Sequence, residues 1–495
     1  MVNRFEMTND FQQVLKQRLA VSILFLAGLI YAALSLVNHY LFRTYALDLG
    51  IYNNALYDYA HFRFNDYPLV RQLFPNALAD HFSLMPMLAS PLLWLFGTYA
   101  LLIVQIAAIL FGGWGIYRFF ADKYPNTYLP HLALIHFLSL WGIFSALSFD
   151  YHDNVIGAML VPWFLYYFDK NEKRKYMLFF VLLLITKENM ALWAVFISLG
   201  LAIQHRRDRQ RMLQALFLTV CSALYFFIIV NVVMKSMGYP DRAYFHFKYA
   251  ALGASPMEAI QNVFLHPVDV FRLFFVNHSK EPFFDGIKTE LYTLVIFSGG
   301  FALIYYPHLL LMLLPIVAQK VLSDDVCKWG INYQYSIEFA PVLTIAAFSL
   351  LLNFKSTKLR YFLALLTVII AFYIHLHAYK ERKSVWFKPA DYVLWSPLHW
   401  HTPYDISSIN KALESIPAEA AVSASSPLVP HLAFRQRIYQ FPDTADATYI
   451  LLLEQPEPYP LKLEELQQQV MALRAASDWE LIYDKKLLKI FKKRY

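Results

Sequence analysis

Long apolar runs separated by short basic clusters restrict this chain more than any other feature. Residues 19–37, 99–120 and 212–234 carry at most one charge each. Each run is close to the ~20 apolar residues a helix needs to cross the hydrocarbon of a bilayer. Only 16% of the 495 residues are charged and 58% are hydrophobic. Soluble domains average about 25% and 45–50%. So few charges cannot cover a solvent-facing surface, which excludes soluble enzymes, disordered chains and collagen-like chains. The chain reads as a membrane protein.

The net charge of +7 is dispersed in clusters between the apolar runs. A nucleic-acid partner would need one continuous basic face, so the lipid bilayer is the expected partner. Cys221 and Cys327 lie far apart and define neither a disulfide framework nor a cysteine-based zinc site. Arg4, Lys16 and Arg18 precede the first run, which reads as a retained helix with a cytoplasmic N-terminus. Further runs occupy 128–147, 155–168, 177–185, 190–203, 291–306, 307–317, 337–352 and 361–377. The basic clusters at 169–175, 204–211 and 353–360 are assigned to the cytoplasm by the positive-inside rule. Between the first two, residues 176–203 read as an out-and-back helix pair turning at Lys187-Glu188. A single long helix would bury both charges mid-membrane at about 2.5–3.5 kcal/mol each.

This pattern predicts an α-helical polytopic protein of the cell (inner) membrane with about eleven crossings. Segment 85–96, which holds Pro86 and Pro91, is read as interfacial or re-entrant. The outer side receives the large first loop 39–83, the turns at 149–154 and 187–189, segments 235–290 and 324–336, and the tail. Residues 1–379 form the transmembrane domain. Residues 380–495 turn polar and read as a small extracytoplasmic α/β domain. Its strands are expected at 420–424, 438–441, 449–453, 481–483 and 487–491, with a helix at 461–473 and a hairpin turn at 484–486.

Three stretches place carboxylates near the outer face. They are Asp48 followed by Tyr52 and Asn53, Asp80 beside His81, and Asp150 two residues before His152. Ionisable groups at membrane depth usually line a functional cavity. Solvated loop carboxylates, or Asp48 as a helix cap, are the blander readings. Asp80-His81 and Asp150-Tyr-His152-Asp153 also offer oxygen and nitrogen ligands. These suit a hard divalent cation shared with substrate phosphates, though no H-E-x-x-H spacing is present and no cofactor is fixed. Lys187-Glu188 reads either as a charge pair easing insertion or as a phosphate contact with Glu188 setting its position. Arg242, His246 and Lys248 lie among aromatics at 239–249, and Tyr335 belongs to Tyr333-Gln334-Tyr335. Both segments also suit an interfacial aromatic belt. No nucleophile elbow or Walker loop appears.

Four strings carry a resemblance: Asp48-Leu-Gly-Ile-Tyr-Asn, Asp80-His81-Phe-Ser, Phe149-Asp150-Tyr-His152 and Lys187-Glu188. Val422-Ser-Ala, Leu428-Val-Pro-His431-Leu and Arg437-Ile-Tyr-Gln-Phe-Pro442 in the tail add to it. Together, over about residues 44–449, they resemble an uncharacterised family of bacterial and archaeal multi-pass membrane proteins grouped with the GT-C glycosyltransferases. The resemblance implies a GT-C-like fold, a polyprenyl-phosphate-linked sugar donor and an envelope glycan, lipid or protein acceptor. It implies one inverting displacement, with Asp48, then Asp80, as the base that activates the acceptor. Asp150 completes the acidic set. Lys187, with Arg242 second, would stabilise the departing lipid phosphate. Tyr52, Asn53, His81, His152, Glu188 and Tyr335 complete the substrate-binding set. Asn189 stands where the family often has a second acid, and the 333–335 triplet lacks a histidine that relatives often carry. The alternatives are a transporter or flippase of lipid-linked precursors, which would favour inverted repeats, and a non-catalytic scaffold.

Overall fold

The computed structural model describes residues 2–239, 244–380, 382–384, 388, 393–485 and 487–494. They are mostly helical, with one small sheet near the C-terminus. Among the described residues, four helical stretches are long and apolar enough to cross a membrane: Gln12–Tyr40, Met85–Lys123, Arg209–Met237 and Thr357–Ala378. Leu129–Leu138 and Trp141–Leu147, bent by 44° at their junction, make a fifth if counted as one broken span.

The expected eleven crossings are therefore corrected to four or five candidates. The physical reason is length. Lys173–Thr186 has 14 residues and Glu188–Gln204 has 17, about 21 and 25 Å at 1.5 Å per residue, against a hydrocarbon thickness of about 30 Å. These short apolar helices are buried on several sides by neighbouring helices. Trp141, Phe164, Trp193, Phe339 and Phe348 fill the core between them. Segment 85–96 forms short helical turns that lead into Ala100–Lys123.

The two helices between the basic clusters run antiparallel. Lys187 separates them in an extended conformation, φ −169° and ψ 149°. At the opposite end, Asp169 accepts hydrogen bonds from Lys123 at 3.0 Å and from Gln204 at 3.0 Å, and its carbonyl accepts from Arg211 at 3.0 Å. Residues 169 and 204 thus share one end of the bundle, and Lys187-Glu188 turns at the other. Gly157 on Asp153–Asp169 permits this turn to pack closely. A Cβ there would meet Thr186 Oγ1 at 2.8 Å and Met190 Cγ at 2.9 Å.

The C-terminal sheet has five strands, β1 Val422–Ala424, β2 Ile438–Gln440, β3 Tyr449–Leu453, β4 Trp479–Lys485 and β5 Leu488–Lys493. Their order is β2-β1-β3-β5-β4. β1 pairs in parallel with β2 and β3, while β5 is antiparallel to β3 and β4. All five apolar runs of the tail become strands, and Leu463–Ala475 is the helix between β3 and β4.

The sheet region packs on the segment that follows the first helix. Ala46 N–H donates to Ser426 Oγ at 3.1 Å, and Arg43 donates to the His399 carbonyl at 2.8 Å. Asn53 donates to the carbonyls of Thr98 and Pro430 at 3.1 and 3.2 Å. Neighbouring Asn54 holds those of Ala433 and Arg435 at 3.0 and 2.8 Å. The structure thus places the Asn53 amide in the joint between the tail and the helical bundle.

Candidate functional site

Residues Ala46–Gly50 form a π-helical turn before the Ile51–Ala60 helix, and Gly50 N–H donates to the Tyr45 carbonyl at 3.0 Å. Such one-turn π segments occur frequently at functional sites. A Cβ at Gly50 would meet Val429 Cγ1 at 2.9 Å, so only glycine lets the tail approach this turn without a shift. Asp48 projects from it and meets His152 Nε2 at 3.0 Å. Its side chain is 27% exposed, against 5% for His152.

Asp150 supports this turn from below. Its Oδ2 accepts from Tyr45 N–H at 2.8 Å and Leu49 N–H at 3.1 Å. Gln105 accepts from His152 N–H at 2.9 Å and donates to the Asp150 carbonyl at 3.4 Å. Asp150 is fully buried, so the carboxylate clasps the loop that presents Asp48. Asp150→Ala removes the acceptor of both N–H groups and leaves that of fully buried Leu49 unmet, at about 1–3 kcal/mol for such a group. Thermal unfolding of the detergent-purified protein should show a clear fall in Tm.

Asp80 ends a short helical turn capped by Asn76, whose side chain accepts from Leu78 N–H at 2.9 Å. Tyr67 OH donates to Asp80 Oδ2 at 2.7 Å, and His246 Nε2 lies 2.9 Å from Asp80 Oδ1. His81 Nδ1 lies 2.9 Å from Glu188 Oε1, and its ring stacks on His246 at 4.1 Å. Glu188 also accepts from Phe82 N–H and Tyr244 OH, both at 3.1 Å. It therefore acts as the anchor that ties the first loop to the Lys187 turn.

Burial opposes charge on Asp80, but His81, His246 and Tyr67 outweigh it and hold the carboxyl below its ordinary range. Burial, then Lys187 and His246, pushes the His81 imidazole down to about 4. Burial, the Asp80 charge and hydrogen bond, and Asp48 further away all push the Tyr67 hydroxyl up. Tyr67 thus lies within the field of both acidic stretches.

Lys187 is only 8% exposed, and its ammonium makes no hydrogen bond or ion pair among the described residues. Its charge acts on His81, Glu188 and Asp153. The Lys328 ammonium is pushed down by burial and by Lys248 and Lys187, against the pull of Asp325. Lys328 stands 5.6 Å over the ring of Tyr335, whose hydroxyl is pushed up by burial and then by Asp48. Tyr52 packs edge-on against Tyr151 at 5.1 Å and His152 at 6.2 Å. With Tyr59, Tyr67, His81 and Ser83 it lines a small pocket.

One end of the bundle therefore gathers Asp48, His152, Asp80, His81, Lys187, Glu188, Tyr52 and Tyr335. Asp150 and Asn53 serve as supports behind it, and Arg242 lies outside the described residues. Sequence reasoning passed over Tyr67, Tyr244 and Lys328 and left His246 open between an outer cation and an aromatic belt. The histidine inside that aromatic segment was the one available signal. The opposite end is different in kind: there Lys123 pairs with Asp169 at 3.0 Å, and Lys170 pairs with Asp122.

Apolar spans around a core of short helices define a helical membrane protein. The chain belongs to the family described as predicted membrane protein (DUF2079), which matches residues 38–484. No curated protein matches it.

Proposed function

We propose that this protein is a GT-C-type glycosyltransferase that moves a sugar from a polyprenyl-phosphate donor to an envelope acceptor at the outer face of the cell membrane. The supporting observation is the combination of a partly exposed carboxylate, Asp48 held by His152, with a buried cation, Lys187, whose ammonium makes no hydrogen bond or close ion pair among the described residues. The two carry complementary roles in one inverting displacement. Asp48 takes the proton of the acceptor hydroxyl as its oxygen attacks the anomeric carbon. The bond from that carbon to the lipid phosphate breaks, and the phosphate leaves with the electron pair. Lys187, backed by Lys328, stabilises the charge that grows on its oxygens.

Asp80 is held by Tyr67 and His246 and is the less accessible acid, so Asp48 is the assigned base. The tail rests on the Asp48 turn and forms one wall of the acceptor approach. In this reading the clusters at 169–175 and 204–211 face the cytoplasm, and the Lys187 end faces outward.

The test is transfer by the full chain in liposomes supplied with radiolabelled polyprenyl-phosphate sugars and envelope extract. Label passing from the lipid fraction to an acceptor supports the proposal. Label that stays on the lipid with every donor tried, while the protein remains folded, overturns it.

A further inference from the structure

We propose that Asp80, His81 and His246 form a binding site for a divalent transition-metal ion of the zinc class. One ligand atom from each residue lies within 4.8 Å of the others. Two imidazoles and one carboxylate suit zinc, cobalt or nickel better than magnesium or calcium, which prefer oxygen alone. This differs from the hard-cation site that the sequence suggested.

The surroundings orient each ligand as metal sites require. Glu188 accepts from His81 Nδ1 at 2.9 Å, which fixes that tautomer and leaves Nε2 as the ligand. Carboxylates in this supporting position are typical of histidine–zinc sites. Glu188 is itself fixed by Phe82 N–H and Tyr244 OH. Tyr67 OH occupies Asp80 Oδ2 at 2.7 Å, so Oδ1 is the oxygen turned to His246. His246 Nε2 and Asp80 Oδ1, 2.9 Å apart, are a few tenths of an ångström closer than two ligands on one tetrahedral zinc, about 3.3 Å at ordinary bond lengths. His246 Nε2 also lies 3.0 Å from the Asp80 carbonyl, so a metal ion replaces a proton shared by both oxygens and requires the His246 ring to turn. The Asp80 and Glu188 carboxylates each lie against one of the two histidines, so the cluster carries two acidic groups. Three protein ligands leave one coordination position for water or an anionic oxygen, as in catalytic zinc sites. The His81 and His246 rings stack at 4.1 Å with their planes 15° apart, so one ring must rotate out of the stack to share an ion, and a bound ion would then tie the first loop to the segment after the Arg209–Met237 span.

The site stands whether or not the protein transfers sugar, and its test reads binding alone. Full-length protein in detergent, stripped with chelator, is titrated with Co²⁺ and followed by its visible absorption and by metal content. One Co²⁺ per chain with a tetrahedral absorption band is expected, displaced by Zn²⁺. His246→Ala and His81→Ala should lower affinity at least tenfold, while His401→Ala in the tail should not. Absence of stoichiometric Co²⁺ or Zn²⁺ binding by the folded wild-type protein would overturn the proposal without reference to any variant. Unchanged affinity in folded His246→Ala would overturn it as well.

Discussion

Asp48→Asn is expected to lower sugar transfer by about 10²–10⁴-fold, the usual worth of a positioned general base. The asparagine keeps the shape of the side chain and an acceptor for His152 Nε2, now 3.0 Å from Asp48 Oδ1. It has no basicity to take up the acceptor proton. The fold should survive, because the turn is held by Asp150 through Tyr45 and Leu49 N–H rather than by Asp48. Initial rates of label transfer check this, with Tm recorded in parallel. Transfer at the wild-type rate would remove Asp48 from the mechanism.

Lys187→Met should reduce the rate by about 10²–10³-fold, the range seen when one preorganised charge stabiliser is lost. The phosphate gains its extra charge only as the sugar–oxygen bond breaks, so kcat should fall more than KM rises. Lys187→Arg keeps the cation but spreads it over a planar fork, and should restore part of the rate. A purely structural lysine would behave differently. Removing a charge whose field acts on Asp153 and Glu188 would then lower Tm and leave the kcat of the surviving protein unchanged. Steady-state kinetics with a soluble short-chain donor separates the two outcomes.

The parts of the fold readable from sequence were those fixed by local pattern. Short apolar runs at 420–424 and 449–453 became β1 and β3, whereas Asp484 and Lys485, expected in a hairpin turn, extend β4, and Lys486 lies outside the described residues. The break at Lys187 was readable because two charges cannot sit unpaired in the middle of an apolar helix. The number of spans was not readable in the same way. Run length alone does not tell a helix that crosses the bilayer from a short one shielded by neighbours, as Glu188–Gln204 and Pro307–Val321 are.

The site was legible as a set of stretches but not as a division of labour. Asp48, Asp80 and Asp150 look alike in sequence, yet one is partly exposed, one is held by Tyr67 and His246, and one is a buried clasp. That distinction depends on partners up to 166 residues away, as with Asp80 and His246. Asn53 looked like part of a binding motif because it follows Asp48 closely. On the Ile51–Ala60 helix its amide instead meets the Thr98 and Pro430 carbonyls. His246 was obscured by the aromatics around it, which also suit an interfacial belt.

A structure of the full chain with a non-hydrolysable polyprenyl-phosphonate sugar tests the central claim most directly. The expected result puts the phosphonate oxygens against Lys187, with the anomeric carbon open to attack from the side of Asp48. A phosphonate bound instead at the far end of the bundle, among Lys123, Asp169 and Arg211, would contradict it.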